Sequence, residues 1–299
     1  MSRINLFSNS KKYSDNKLGT VLISPVIIYL LVIMVIPFAW AIYTSFTNKM
    51  VGTPGQFVGL KNYINLIKND LFWKSVVNTL IFTIFAVVLK VIFGTIMALV
   101  LNEDIKFRNV FRALLFLPWT IPTLISVFTW QWMFSDIGGV LNYVLLKMNL
   151  ISEPIGWLAT RQAAMSSVIT INVWRGIPFL GIAILAGLQT ISKDMYEAAT
   201  IDGANVIKRF IYITIPSIKV IIILAALVTT IWTLNDFEII WLLTRGGPSN
   251  GTQVISTLSY TLGFLNLKLG EAITVSIISF PPLIALVYYI TKKLLVSEE

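Results

Sequence analysis

Long apolar stretches alternate with short polar segments along the whole chain. Six of these stretches approach or exceed the roughly 20 residues that an α-helix needs to cross a bilayer. They cover residues 19–46, 75–101, 113–134, 164–188, 219–241 and 272–291. The pattern predicts an all-α membrane protein, with residues 1–18 as a polar tail and residues 19–299 as one domain of six transmembrane helices.

The composition agrees with this prediction. Of the 299 residues 56% are hydrophobic and 12% are charged, and the mean hydropathy is +0.81. A soluble domain has about a quarter of its residues charged. The net charge of +9 is then best assigned to loops that face lipid headgroups, and no nucleic-acid partner is predicted.

Two absences limit the chemistry. The chain has no cysteine and no histidine, which excludes disulfides, thiolate catalysis, histidine-based catalysis and metal sites built on these ligands. It also lacks the Gly-x-x-x-x-Gly-Lys-Ser/Thr phosphate loop, which binds nucleotide phosphates in many ATPases. We therefore expect no cofactor, and we expect that the chain is not itself an enzyme.

Positive charge in the loops predicts the orientation. With the N-terminus inside, the inner segments carry 12 Lys or Arg in 67 residues, and the outer segments carry 8 in 87. Inner loops are enriched in Lys and Arg, so both termini are predicted to be cytoplasmic. The first apolar run, Gly19 to Phe46, is longer than the roughly 7–15 apolar residues of a signal peptide, and we expect it to be retained as a span.

The loop between the fourth and fifth spans, residues 189–216, has the signals of a helix, a turn and a second helix. Ser192 is a suitable N-cap and Asp194 lies in the first turn, where a helix favours negative charge. The first helix should end near Asp202, because Gly203 permits the left-handed conformation that terminates a helix. Pro216 is tolerated only near the start of the next helix.

Several ionisable and polar side chains lie within the spans. Lys90 and Arg175 lie near the middle of the second and fourth spans, and Asp236 and Glu238 lie toward the outer end of the fifth. Such groups usually face the interior of a bundle or a water-filled path. The alternatives are a structural ion pair or a lysine that snorkels to the interface; the depth of Lys90 favours the interior.

Helical spacing groups these residues into two faces. On the fourth span the face holds Asn172, Arg175, Gly176 and Phe179, and on the fifth it holds Thr229, Thr233 and Asp236, with Trp232 adjacent. The two helices run antiparallel, so the faces should lie at similar depth. Hydroxyl, amide and aromatic groups suit a sugar. Thr, Asn and Gly also serve in ordinary helix–helix packing, which stays open as the alternative.

The loop then shows a motif with long spacing. Glu197-Ala198-Ala199 is followed after three residues by Gly203, and nine residues later by Ile213-Thr214-Ile215-Pro216. This resembles the signature loop of the membrane subunits of ATP-driven, binding-protein-dependent importers (ABC importers), with Ile215 in place of the usual Leu. In that family the loop is a coupling helix that docks on the ATP-hydrolysing subunit. The resemblance assigns ATPase coupling to Glu197, Ala198, Ala199, Asp202, Gly203, Ile213 and Pro216.

The resemblance continues over nearly the whole chain, in the segments 57–63, 116–119 and 242–248. It is closest to sugar-importer permeases of the maltose and glycerol-phosphate type, in the inner membrane of a prokaryotic cell. It implies three kinds of protein partner: ATP-hydrolysing subunits, a second permease subunit and an extracytoplasmic solute-binding protein. The outer segments 57–73 and 138–157 then become a docking surface for the binding protein, or else membrane-interface helices.

The resemblance also implies that substrate is held by the fourth and fifth spans. The family run Asn-x-x-x-Gly-x-Pro-aromatic matches Asn172, Gly176, Pro178 and Phe179, although Phe179 lacks the hydroxyl of a tyrosine. The substrate path is thus predicted to include Lys90, Asn172, Arg175, Gly176, Phe179, Thr229, Trp232, Thr233 and Asp236. Two alternatives remain: import of an anionic solute such as glycerol phosphate, and an ion-coupled secondary transporter that relays ions through the charged residues.

Overall fold

The computed structural model describes the backbone of residues 8–104 and 106–296 and the side chains of residues 17–104 and 106–294. Within these ranges the chain is helical and contains no β-strand. The α-helices are α1 (Ser8–Ser45), α2 (Lys61–Ile67), α3 (Asp70–Asn102), α4 (Arg108–Thr120), α5 (Thr123–Met133), α6 (Val140–Lys147), α7 (Arg161–Leu188), α8 (Lys193–Ile201), α9 (Val206–Arg209), α10 (Ile215–Leu234), α11 (Glu238–Thr244), α12 (Ile255–Tyr260) and α13 (Leu269–Val296). Two π-helical turns, Phe210–Thr214 and Thr261–Leu265, precede α10 and follow α12.

The predicted all-α membrane fold is confirmed. Among the described residues, five helices are long and apolar enough to cross a membrane: α1, α3, α7, α13 and the continuous segment Val206–Leu234. A sixth span results when the bent pair α4–α5 is counted as one. The helix α1 begins at Ser8, inside the predicted polar tail, whose first seven residues lie outside the described ranges.

The predicted third span, residues 113–134, is wrong as a single helix. It is split into α4 and α5, which meet at an angle of 94°. Pro122 explains the break, because it cannot donate a backbone hydrogen bond and it disfavours the helical conformation in the residue before it. Ile121 accordingly has φ −71° and ψ 131°, an extended conformation.

The predicted fifth span, residues 219–241, is also wrong in its bounds. The helical segment begins at Val206 and ends at Leu234, and α11 starts only at Glu238. Pro216 is the second residue of α10, as predicted, and directly follows the π-helical turn. Asp236 therefore lies in the break between α10 and α11, where its Oδ1 accepts a hydrogen bond from the Ile239 amide at 3.3 Å.

The centre of the fold is formed by α3, α7 and α10. Gly94 of α3 and Gly181 of α7 let two of these helices approach closely: a Cβ added to Gly94 would lie 2.8 Å from the Leu180 Cβ, and one added to Gly181 would lie 2.8 Å from the Met97 Sδ. Small residues of this kind allow helix backbones to pack in membranes. By contrast, α1 is exposed along most of its length and packs on α13, where Phe38 and Phe280 meet edge to face at 5.6 Å.

The predicted outer segments are partly helical. Segment 57–73 contains α2 and the start of α3, and segment 138–157 contains α6. Segment 246–248 is a turn, in which Gly246 has a φ of +83°. The residues after this turn are held to α3, because the Asn78 side chain donates hydrogen bonds to the carbonyl oxygens of Asn250 and Gln253. Whether these segments dock a binding protein stays a prediction.

Candidate functional site

A cavity of about 630 Å³ opens between α3, α7 and the two broken spans. Eight of the nine residues predicted for the substrate path line it together. The lining consists of Lys90, Trp119, Thr123, Asn172, Arg175, Gly176, Thr229, Trp232, Thr233, Asn235, Asp236, Phe237, Glu238 and Ile239. The two predicted helix faces therefore meet at one depth, across one space.

The Lys90 side chain extends from α3 to α10 along the cavity wall. Its side chain is 4% exposed, and its Nζ donates a hydrogen bond to the Thr233 Oγ1 at 2.9 Å. It passes directly over Gly176, where an added Cβ would lie 2.5 Å from the Lys90 Cε. The glycine thus provides the space that the lysine occupies, and the predicted interior position of Lys90 is confirmed.

A second polar contact joins α7 to the break after α10. The Asn172 side-chain amide donates to the Asp236 Oδ2 at 2.7 Å, and the Ser256 hydroxyl donates to the backbone carbonyl of Asp236 at 2.8 Å. The Asn172 Oδ1 is buried and has no hydrogen-bond partner among the described residues. Asp236 forms no salt bridge with Lys90 or Arg175 within the described chain.

Arg175 holds the break between α4 and α5. Its Nη1 donates to the Ile121 carbonyl at 2.8 Å and to the Ser126 Oγ at 2.7 Å, and its Nη2 donates to the Thr123 Oγ1 at 3.1 Å. A break inside a membrane is tolerated where neighbouring side chains satisfy the freed backbone groups. Arg175 lines the cavity, but most of its hydrogen-bonding capacity is used on the scaffold.

We expect Arg175→Ala to lower the stability of the purified protein. The substitution removes three hydrogen bonds, one of them to a carbonyl at a helix break, and hydrogen bonds to charged groups contribute about 1.5–3 kcal/mol each. Thermal unfolding in detergent should therefore show a clearly lower midpoint. Arg175→Lys should recover only part of it, because a lysine lacks the planar fork. Arg161→Ala, at the exposed first position of α7, is the control, and an equal loss in both alanine variants would contradict the bracing role.

Three aromatic rings form one side of the cavity. Phe179 does not itself line the cavity, in contrast to the prediction, but its ring lies 4.7 Å from that of Trp232 and 5.5 Å from that of Trp119, centroid to centroid. The Trp119 and Trp232 rings are also 5.5 Å apart. Trp232 is 47% exposed and Trp119 38%, so both present ring surface to the open space.

Sequence reasoning did not assign several lining residues to the cavity. Trp119 and Thr123 reach it only because the third span bends beside them, and Asn235 and Phe237 lie in the break after α10. The residue pair Ile121-Pro122 was the available signal for the first break. Together the lining supplies hydroxyls, amides, flat aromatic surface and both signs of charge, which suits a solute with many hydroxyl groups and an apolar face.

The loop between α7 and α10 has the predicted form. Helix α8 is capped by Ser192, whose Oγ accepts a hydrogen bond from the Asp194 amide at 3.2 Å. It ends at Ile201 with Asp202 as the C-cap, and Gly203 follows with a φ of +78°. The helix lies at the surface of the protein, and none of its residues is buried.

The residues to which the resemblance assigns coupling differ in exposure. Five of them are exposed, namely Glu197, Ala198, Asp202, Gly203 and Pro216, and two are half-buried, Ala199 and Ile213. Apolar side chains beside them are also open to the outside, with Ile201 87% and Val206 70% exposed. An exposed surface with this apolar content is typical of a site that contacts another protein.

Hydrogen bonds fix α8 to the bundle. The hydroxyls of Tyr196 and Thr214 lie 2.9 Å apart, and the Arg209 Nη1 donates to the Thr200 Oγ1 at 2.9 Å. At the end of α7 the Gln189 carboxamide, with its oxygen toward α4, accepts a hydrogen bond from the Arg112 Nη2 at 2.9 Å. The first two bonds join α8 to the segment that leads into α10, and the third joins the end of α7 to α4.

A polar cavity at the centre of a membrane-spanning helix bundle, with an exposed helix at one end, is typical of a membrane transport protein. The sequence profile of the family described as "Binding-protein-dependent transport system inner membrane component" matches residues 90–297. The chain belongs to this family, and it is a membrane-embedded, multi-pass permease component.

Individual relatives agree with this assignment. The chain is 38% identical over 275 residues to the trehalose/maltose transport system permease protein MalF of Thermococcus litoralis, covering 91% of this chain and 92% of that protein. It is 33% identical over 278 residues to the sulfoquinovosyl glycerol transport system permease protein SmoG of Agrobacterium fabrum, covering 92% and 90%. A chain of a bacterial ABC transporter that imports the acidic polysaccharide alginate has the same fold, with a TM-score of 0.80 at 23% identity over 95% of this chain and 96% of that one.

Proposed function

We propose that this chain is a membrane-spanning subunit of an ATP-driven, binding-protein-dependent importer and that it carries a neutral sugar or oligosaccharide through the central cavity. The observation that carries the proposal is the cavity itself, where hydroxyl, amide and aromatic groups from the two predicted helix faces converge. Relatives are named for trehalose/maltose and sulfoquinovosyl glycerol transport, which supports a sugar as the substrate class. Of these two, only the trehalose/maltose relative supports a neutral sugar, because a sulfoquinovosyl group carries a sulfonate.

The distribution of charge favours a neutral solute over glycerol phosphate. Lys90 is buried and donates to Thr233, and the guanidinium of Arg175 is engaged with the break between α4 and α5. Asp236 and the exposed Glu238 bring two carboxylates to the same lining. A phosphate in this space would meet carboxylates and cations already engaged with the protein, so its transfer from water would be poorly compensated.

The ATPase activity is proposed to reside in partner subunits that dock on α8. Support comes from the exposed position of Glu197 and from the family motif around it. A second permease subunit is also proposed, because at most six spans in the described chain supply only part of the wall of a pathway. The loop charges support an orientation with both termini and α8 in the cytoplasm of a prokaryotic cell.

The mechanism proposed is alternating access. An external binding protein delivers the sugar to the outer face of the cavity. ATP binding closes the two ATPase subunits, α8 moves with them, and its contacts to α10 and α7 open the cavity outward. Hydrolysis returns the bundle to the inward-open state. The contact of Tyr196 with Thr214 and the short segment between Leu188 and α8 are the parts of this chain that would transmit the movement.

The direct test is mild detergent extraction of the tagged chain from its native membrane, followed by mass spectrometry of the proteins that accompany it. A second permease and an ATP-hydrolysing subunit are expected. If a folded chain emerges alone and still transports solute under an ion gradient, the importer proposal fails and an ion-coupled secondary transporter replaces it. Competition of labelled sugar uptake by glycerol phosphate separates the anionic alternative, which predicts inhibition.

A further inference from the structure

A second cavity, separate from the central one, opens beside the second half of α3. Its volume is about 470 Å³, and it lies between α3 and the first half of α10. Residues from Val91 to Leu99 form one wall, and Ile222 and Ile223 belong to the other. The lining is apolar except for Thr95, whose hydroxyl is bonded to its own helix, and one cation, Lys219. We call this space the α3–α10 groove.

The groove has the length of one bilayer leaflet. From Val91 to Leu99, α3 rises about 12 Å at 1.5 Å per residue, and half of the hydrocarbon core is about 15 Å. Val91 follows Lys90, which lies in the central cavity, while Leu99 is three residues from the end of α3. The groove therefore runs from the middle of the bundle to the end that carries α8.

Lys219 lies toward the α8 end of this groove, with Ile215 and Phe210 beyond it along the same span. Ile221, two residues after Lys219 in α10, is level with the end of α7. A Cβ added to Gly187 would lie 2.6 Å from the Ile221 Cδ1, and α7 ends at Leu188. Lys219 is exposed and forms no salt bridge within the described chain. A long side chain at this level can bring its ammonium to the headgroup layer while its methylene groups cover apolar surface.

We propose that the α3–α10 groove binds one acyl chain of an anionic phospholipid and that the lipid phosphate pairs with Lys219. The apolar wall matches a hydrocarbon chain, its length matches one leaflet, and its single cation lies where the headgroup of that leaflet would be. Anionic lipids are concentrated by basic side chains at the cytoplasmic surface. The assignment of this leaflet as cytoplasmic rests on the proposed function.

The bound lipid would touch the connection between α8 and the bundle. Phe210, which also lines the groove, is the first residue of the π-helical turn that leads into α10. The same turn contains Thr214, which contacts Tyr196 of α8. A lipid in the groove would support this turn from the membrane side, so we expect transport to depend on anionic lipid.

The experiment is native mass spectrometry of the co-purified assembly in nanodiscs that contain phosphatidylglycerol and phosphatidylcholine. Wild type should retain phosphatidylglycerol, and Lys219→Ala should reduce the retained amount about fivefold. Lys292→Ala, an exposed lysine near the same end of α13, should retain it. Lys219→Arg should also retain it, because the charge is kept. Ile96→Trp fills the groove without changing charge and should displace the lipid, whereas Ile84→Trp, exposed elsewhere on α3, should not.

Unchanged phosphatidylglycerol in both Lys219→Ala and Ile96→Trp would overturn the proposal. It would equally be overturned if Ile96→Cys, in a chain without native cysteines, were joined to a second permease subunit by a short reagent that links a thiol to a photoactivated group, because that subunit would then cover the groove. Sugar uptake is measured on the same assemblies. If both variants retain lipid as wild type does and uptake is normal, the lipid site is wrong and the proposed function stands. If wild type shows no ATP-driven uptake, the proposed function is wrong.

Discussion

Trp232→Ala is expected to raise the sugar concentration for half-maximal uptake about tenfold. If a sugar face covers about 60 Å² of the indole, its loss costs about 1.5 kcal/mol, which corresponds to that factor. Trp232 is 47% exposed in the cavity, and its ring is held by Phe179 and Trp119 at 4.7 and 5.5 Å. It therefore offers a fixed flat surface, and a fixed surface binds with little loss of side-chain entropy.

The measurement is uptake of labelled sugar by the reconstituted assembly over a range of sugar concentrations. Trp232→Phe should retain part of the affinity, because it keeps a smaller ring. Trp132→Ala removes an exposed indole at the end of α5 that does not line the cavity, and it should behave as wild type. An unchanged half-saturating concentration in Trp232→Ala would remove this residue from the substrate path.

Glu197→Ala is expected to lower sugar-stimulated ATP hydrolysis and uptake by about thirtyfold or more, with sugar binding retained. Truncating one partner of a hydrogen-bonded charge pair buried at an interface costs about 2–5 kcal/mol. Glu197 is exposed on α8, so its carboxylate is free to pair with a docked ATPase subunit. The loss should appear in the coupling of ATP hydrolysis to transport.

Asp194→Ala is the matched control for this prediction. Asp194 is an exposed carboxylate in the first turn of the same helix, and its loss should cost only the interaction with the helix dipole, about 0.3–1 kcal/mol. Equal loss of coupling in both variants would show that α8 needs only its helical stability. If sugar still stimulates ATP hydrolysis fully in Glu197→Ala, this residue does not couple ATP hydrolysis to transport.

The sequence predicted the parts of the fold that depend on local signals. The position of α8 followed from the Ser192 cap and from Gly203, which has the predicted positive φ. Helical spacing placed Asn172 and Asp236 on facing surfaces, and they are joined by a hydrogen bond of 2.7 Å. Cap residues and helical periodicity act over a few residues, so they can be read without knowledge of neighbouring helices.

The breaks in two spans could not be predicted in the same way. Hydropathy is continuous through Ile121, and a hydropathy window does not detect a bend. At the second break the sequence does turn polar, in the run Asn235-Asp236-Phe237-Glu238, but a window of about 20 residues averages this short run with its apolar neighbours. Pro122 marks the first break, but the geometry is held by Arg175, which lies more than 50 positions away in sequence and donates to the Ile121 carbonyl. Trp119 was consequently missed as a cavity residue, because it reaches the cavity only through that bend.

The most direct test of the proposed function is uptake of labelled maltose or trehalose into proteoliposomes that contain the co-purified assembly and its solute-binding protein. The proposed function predicts uptake that requires ATP on the side of α8, is unaffected when ion gradients are collapsed, and has a weakened sugar affinity in Trp232→Ala. Uptake that proceeds without ATP and stops when an ion gradient is dissipated would contradict it.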